Sequence, residues 1–125
     1  MNLGLTDRVV LITGAAQGIG EGISWAFAEE KARIAVVDIQ ADRVADLVGA
    51  LQNRGHEALG FTVDISDRKK VEKTVSAVTD AFGRLDILVN NAGILRRAYV
   101  EQIKQSDWDA VIAVNLKGVL NCCQA

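Results

Sequence analysis

An α/β fold with a doubly wound parallel sheet is predicted by two features of this sequence. Short apolar runs alternate with amphipathic segments along the whole chain. A glycine-rich turn follows the first apolar run and leads straight into the first amphipathic segment.

Taken in order, Val9-Val10-Leu11-Ile12 is a buried strand ended by Thr13-Gly14. From Ile19 to Glu30, Ile19, Ile23 and Phe27 recur at helical spacing with Ala26 alongside. Ile34 to Val37 is a second buried strand, closed by Asp38. Asp42 to Asn53 is a helix with Val44, Leu47, Val48 and Leu51 on one face and Gly55 just past its end. Ala58 to Val63 is a third strand. Ser66-Asp67 opens a helix with Val71, Val75 and Val78 inward, and Gly83 follows it. Asp86 to Asn90 is a fourth strand, and Asn91 to Leu95 a loop. Ser106-Asp107 is expected to cap a last helix, with Trp108, Val111, Ile112 and Leu116 at helical spacing, running to the end of the chain. Right-handed crossovers then set the strand order 3-2-1-4 and leave strand 4 as a short apolar edge. Such an edge invites pairing with another chain, so the pattern reads as a single domain over residues 1–125 with part of its sheet missing.

Composition excludes several classes. The chain has 125 residues, half of them hydrophobic, and a formal net charge of −2. Nothing in that balance suggests nucleic acid or an anionic membrane as a partner. No apolar run is long enough to span a bilayer, and the N-terminal residues show no secretory pattern. The only cysteines, Cys122 and Cys123, are adjacent, which suits neither a disulfide nor a zinc site. They read as small core or interface residues in a reducing, cytoplasmic setting. His56, the single histidine, reads as a solvated loop residue.

The chemistry lies in the turn Thr13-Gly14-Ala15-Ala16-Gln17-Gly18-Ile19-Gly20. A dinucleotide pyrophosphate needs free N–H groups at a helix N-terminus and no side chain where the backbone meets it. Gly14, Gly18 and Gly20 are spaced for that role, although their Gly-x-x-x-Gly-x-Gly pattern differs from the commoner Gly-x-Gly-x-x-Gly. Asp38 closes the second strand about 20 residues further on, where a carboxylate bonds ribose hydroxyls. It would repel a 2′-phosphate, and neither Gln17 nor Ile39 offers a positive charge to hold one. This favours NAD over NADP. Arg43 reads as part of a solvated helix face. Arg96 and Arg97 lie in a loop, and Trp25 and Trp108 read as packing residues.

The turn from Thr13 to Gly20, the pair Asp64-Ile65, the run Asn90-Asn91-Ala92-Gly93 and the segment from Trp108-Asp109 through Val114-Asn115-Leu116-Lys117-Gly118 occur in an order and spacing that resemble the short-chain dehydrogenase/reductase family. The general style is similar to its 3-oxoacyl-carrier-protein reductase and sugar dehydrogenase branches. The resemblance covers the whole chain and implies a Rossmann-type fold that binds NAD(P) and moves a hydride between nicotinamide and a secondary alcohol or ketone. It implies that Gly14, Gly18 and Gly20 lie under the pyrophosphate with Ile19 packed close by. Asp38 would hold the adenosine ribose, Asp64 the adenine amino group, and Ile65 would flank the ring. Asn90, Ala92 and Gly93 would border the cofactor ribose, with Asn90 also tying neighbouring strands together. Asn115 would match the asparagine of the family's catalytic set, and the last helix would contribute to a homo-oligomer contact. The family's proton donor is a tyrosine followed four residues later by lysine. Here the only tyrosine is Tyr99, with Ile103 four residues on, and it precedes Asn115. The isolated chain is therefore expected to bind cofactor without turnover. The alternative is a non-catalytic NAD-binding module, or a truncated relic that pairs with another chain.

Overall fold

A computed structural model describes residues 2–125. Its strands are β1 (Val9–Thr13), β2 (Arg33–Asp38), β3 (Ala58–Thr62) and β4 (Ile87–Val89), all parallel, in the order β3-β2-β1-β4. Between them run α1 (Gly18–Glu29), α2 (Ala41–Asn53) and α3 (Arg68–Phe82). After β4 come α4 (Gln105–Ile112), a π-helical turn (Ala113–Lys117) and α5 (Gly118–Gln124). The predicted order therefore holds.

Period-two alternation sends β1 to both cores. Val10 and Ile12 join Ile34 and Val36 beneath α1 and α2, where Val44, Leu47 and Leu51 complete the layer. Val9 and Leu11 join Ala35 and Val37 on the opposite face, against Val71 and Val78 of α3 and Cys122 of α5. Every residue of the central strand β1 is buried, whereas all of β4 is only half-buried, as an edge strand should be. Val63 falls just past β3, its N–H donating to the Asp38 carbonyl at 3.0 Å. At the other end of the sheet the Asp86 carboxylate accepts from the Val9 N–H at 2.9 Å and pairs with Arg84 and Arg8.

Two helices depart from their expected faces. In α1 the buried residues are Gly20, Ser24 and Ala28, while Ile23 and Phe27 are half-buried and Ile19 is 78% exposed. Small residues let this helix lie close to the sheet, and the larger ones wrap its flanks. Ser24 satisfies its hydroxyl within the helix by donating to the Gly20 carbonyl. In the last helix, Lys104 rather than Ser106-Asp107 precedes the first turn, and no side chain caps it. Asp107 instead faces Arg96 at 3.6 Å. Trp108, expected to anchor packing, is 56% exposed, and Leu116 is 62% exposed. The π turn is wider than an α-helical turn and so changes the phase of everything after it. After it Gly118, Asn121 and Cys122 are buried, while Leu116, within the turn, is exposed as Trp108 before it is.

Glycine permits two close approaches that no periodicity reveals. A Cβ on Gly60 of β3 would stand 2.6 Å from Val44 Cγ1, and one on Gly118 would stand 2.6 Å from Ile65 Cδ1. His56 is half-buried and meets Trp25 edge-on with ring centroids 6.3 Å apart, so it is not the solvated residue its neighbours suggested. Trp25 also carries the Arg54 guanidinium over its ring at 4.9 Å. Both cysteines are free thiols, Cys122 buried and Cys123 exposed. Burial pushes the Cys122 thiol up from its ordinary value. Among the described residues no helix is long and apolar enough to cross a membrane.

Candidate cofactor-binding site

The site forms at the C-terminal ends of β1, β2 and β4, where the glycine turn joins β1 to α1. Thr13, itself buried, organises the base of the turn. Its hydroxyl accepts from the N–H groups of Asn91 (3.1 Å) and Ala92 (3.0 Å). Asn91 returns the link, its Nδ2 donating to the carbonyls of Thr13 (3.1 Å) and Gly14 (3.0 Å). The loop after β4 is thus fastened to the turn by four hydrogen bonds.

That fastening corrects the reading of the two asparagines. Asn91, not Asn90, ties the neighbouring strands. Asn90 is exposed, and its Nδ2 lies 3.5 Å from Cys123 Sγ. Strand parity explains the exchange. Leu88 faces the α3–α5 side and Val89 the α1–α2 side. Continuing the alternation turns Asn90 toward α5 and Asn91 toward the turn.

Above its base the turn opens. Ala15 and Ala16 are buried, and the Ala15 N–H donates to the Val37 carbonyl. Gln17, Gly18 and Ile19 are exposed. Gly14 and Gly18 adopt positive φ, +60° and +54°, which L side chains rarely do. A Cβ on Gly14 would stand 2.8 Å from the Ala92 Cα, and one on Gly20 would collide with the Gly14 carbonyl oxygen. No side chain caps α1 at Gln17. Its first N–H groups have no partner inside the helix, and together with the helix dipole they form an anion site.

Asp38 is 5% exposed and braces the turn from the end of β2. Its Oδ2 accepts from the Ala16 N–H and its Oδ1 from the Gln40 N–H, each at 3.1 Å. A carboxylate has about four acceptor positions, so this bracing leaves capacity for ligand hydroxyls. Asp64 is held in a tight local turn by Ser66, whose N–H and hydroxyl donate to Oδ1 at 3.0 and 2.7 Å.

Two openings meet at the turn. The smaller, about 140 Å³, has Asp38, Ile39, Asp64 and Ile65 in its wall, with Gly14 and Gln17 on one side and Ala92 and Gly93 on the other. The larger, about 370 Å³, shares Gly14, Gln17, Ala92 and Gly93 and extends over Gly18 and Ile19 to Arg43. Ten of the residues expected at the site therefore line one opening or the other. Thr13 and Gly20 support the turn from beneath. Asn115 stands behind the wall, where its Oδ1 accepts from the Ile94 N–H and its Nδ2 donates to the Ile94 carbonyl, each at 2.9 Å. It acts there as a backbone mimic that pins the loop beside Gly93.

This arrangement fits an adenine dinucleotide. The α1 N-terminus suits the phosphates, Asp38 suits vicinal hydroxyls, and Ile39, Val63 and Ile65 offer apolar walls to a flat ring. Asn91 was given no role from the sequence, and Arg43, read there as part of a solvated helix face, lines the larger opening. Parity would have found the first. Nothing local marks the second, because its place on the opening depends on how α2 packs.

A family model described as short chain dehydrogenase matches residues 8–125. The chain belongs to the short-chain dehydrogenase family. Within this family it is 44% identical over 123 residues to the (2S)-[(R)-hydroxy(phenyl)methyl]succinyl-CoA dehydrogenase subunit BbsD of Thauera aromatica, covering 98% of this chain and 50% of that protein. It is 42% identical over 120 residues to the 3-oxoacyl-[acyl-carrier-protein] reductase FabG of Thermotoga maritima, covering 96% and 49%. An NAD+-bound xylitol dehydrogenase superimposes with a TM-score of 0.93 at 30% identity, over 97% of this chain and 47% of that one. The NADH complex of a 3-ketoacyl-(acyl-carrier-protein) reductase from Brucella melitensis does so with a TM-score of 0.89 at 34% identity, over 96% and 48%. The chain spans about half the length of these short-chain dehydrogenase relatives. Oxidoreductase chemistry with NAD(P) is the common ground of the family.

Proposed function

We propose that this chain is the cofactor-holding part of an NAD-dependent oxidoreductase acting on a secondary alcohol or ketone. The observation that carries the reading is the Asp38 carboxylate in the wall of the smaller opening, hydrogen-bonded at 3.1 Å to the Ala16 N–H of the glycine turn it braces. A buried negative charge there accepts from ribose hydroxyls and opposes a 2′-phosphate, which favours NAD over NADP. Gly14, Gly18 and Gly20 keep side chains away from the pyrophosphate, Asp64 and Ile65 receive the adenine, and Ala92 and Gly93 border the nicotinamide side. Asn115 is a positioning residue that holds Ile94. Hydride transfer is the chemistry that a bound nicotinamide supplies; the residues of this chain bind and orient it.

One observation favours a binding role for the chain taken alone. Tyr99 is 75% exposed, outside both openings, and Ile103 rather than a lysine follows it four residues on. By itself the chain binds the dinucleotide without turning over alcohol.

Calorimetric titration with NADH and NADPH tests the reading. The unsubstituted chain is expected to bind NADH more tightly, and Asp38→Asn to narrow the NADH/NADPH ratio about tenfold. Because the ratio is read within one variant, affinity lost equally for both cofactors does not affect it. A preference for NADPH in the unsubstituted chain, or an unchanged ratio in the variant, would overturn the assignment.

A further inference from the structure

We propose that Arg43 contacts a phosphate of the bound dinucleotide and sets how strongly the site retains it. The inference rests on the dinucleotide-binding reading above and extends it to a residue outside the glycine turn. Among the described residues Arg43 is the only lysine or arginine lining either opening. The remaining charged side chains there are the carboxylates of Asp38 and Asp64. Without Arg43, an anionic ligand would meet two negative side chains and only the partial positive charge of a helix end.

Its placement is otherwise unfavourable. Arg43 stands in the first turn of α2, where the helix dipole favours acidic residues such as the neighbouring Asp42 and disfavours a cation. Among the described residues it joins none of the ion pairs that employ Arg8, Arg33, Arg68, Arg84 and Arg96. Its exposed guanidinium therefore has its donors available at the edge of a cleft built for phosphate. A guanidinium presents five N–H donors in a planar fork that matches phosphate oxygens, and such charge-assisted bonds are among the stronger ones.

The phosphate is either the bridging pyrophosphate or a 2′-phosphate on the adenosine ribose, and the test separates them. The 125-residue chain, its Arg43→Gln variant and its Arg43→Lys variant are titrated with NADH and with NADPH, with circular dichroism confirming an unchanged fold. Arg43→Gln is expected to weaken binding about threefold to tenfold, with Arg43→Lys retaining part of the affinity. Equal loss for NADH and NADPH assigns the contact to the pyrophosphate. Loss for NADPH alone assigns it to the 2′-phosphate. If Arg43→Gln binds both dinucleotides as the unsubstituted chain does, the proposal is overturned while the cofactor site stands. If the folded, unsubstituted chain binds neither, the cofactor reading falls and takes this inference with it.

Discussion

Removing the Asn91 carboxamide would leave the carbonyls of Thr13 and Gly14 without their side-chain donor at the point where the turn meets the loop after β4. Asn91→Ala is expected to destabilise the chain by about 1–3 kcal/mol, the usual cost of leaving shielded polar groups unpaired. Asn90→Ala, at an exposed position, should stay within about 0.5 kcal/mol. Urea denaturation of the two variants decides between them, and equal losses would defeat the assignment of the tie to Asn91. The contrast also shows how far residue-level reading reaches. The glycines and Asp38 are legible in the sequence because their chemistry demands those residue types at fixed places after a strand, whereas Asp64 entered only through the resemblance to the family. Two adjacent asparagines carry identical chemistry, so only the end point of β4 and the parity of its side chains distinguish them.

At the scale of elements, β4 is the exposed flank of the sheet, a three-residue strand. Its N-terminal end is fixed by the Asp86 carboxylate, which bonds the β1 backbone at Val9. The hydrogen bond from Arg84, aided by the Val9 N–H, lowers the Asp86 pKa from 3.8 to about 2. A carboxyl group whose folded pKa lies below its unfolded value stabilises the fold fully above the unfolded pKa, and that contribution is lost as pH falls through the folded pKa. The thermal midpoint of the chain should therefore exceed that of Asp86→Asn at neutral pH, and the gap should close between pH 3.8 and about 2. A gap constant across that interval would mean that Asp86 carries no such linkage. The strands and the positions of the first three helices were readable because buried parallel strands and amphipathic helices leave distinct periods in the sequence, although α1 buries its small residues rather than the apolar series from Ile19. The last helix was misread for a physical reason. Its helical spacing is present, but α4 buries none of its residues and Trp108 is already exposed before the π turn, and spacing alone does not say whether an apolar face meets the core or the solvent.

For the whole molecule, strand order was legible because right-handed crossovers leave few topologies open, whereas the surface left exposed by that order depends on the phase of the final helices. Trp108, Leu116 and Leu120 are each more than half exposed along α4, the π turn and α5. Among the described residues β1 is the only strand that pairs with β4, so the outer edge of β4 is a second unpaired surface. Apolar side chains gathered on one helical face favour association, at roughly 25 cal/mol for each Å² removed from water. The chain is therefore expected to self-associate at micromolar concentrations, as light scattering would show. If the helical stripe makes the contact, Leu116→Lys with Leu120→Lys should return it to monomer, because burying unpaired charge opposes docking and neither side chain supports the core. Association that survives the double substitution would place the contact at the β4 edge, where backbone pairing does not depend on those residues. A monodisperse monomer in the unsubstituted chain would show that neither surface suffices to hold two copies together.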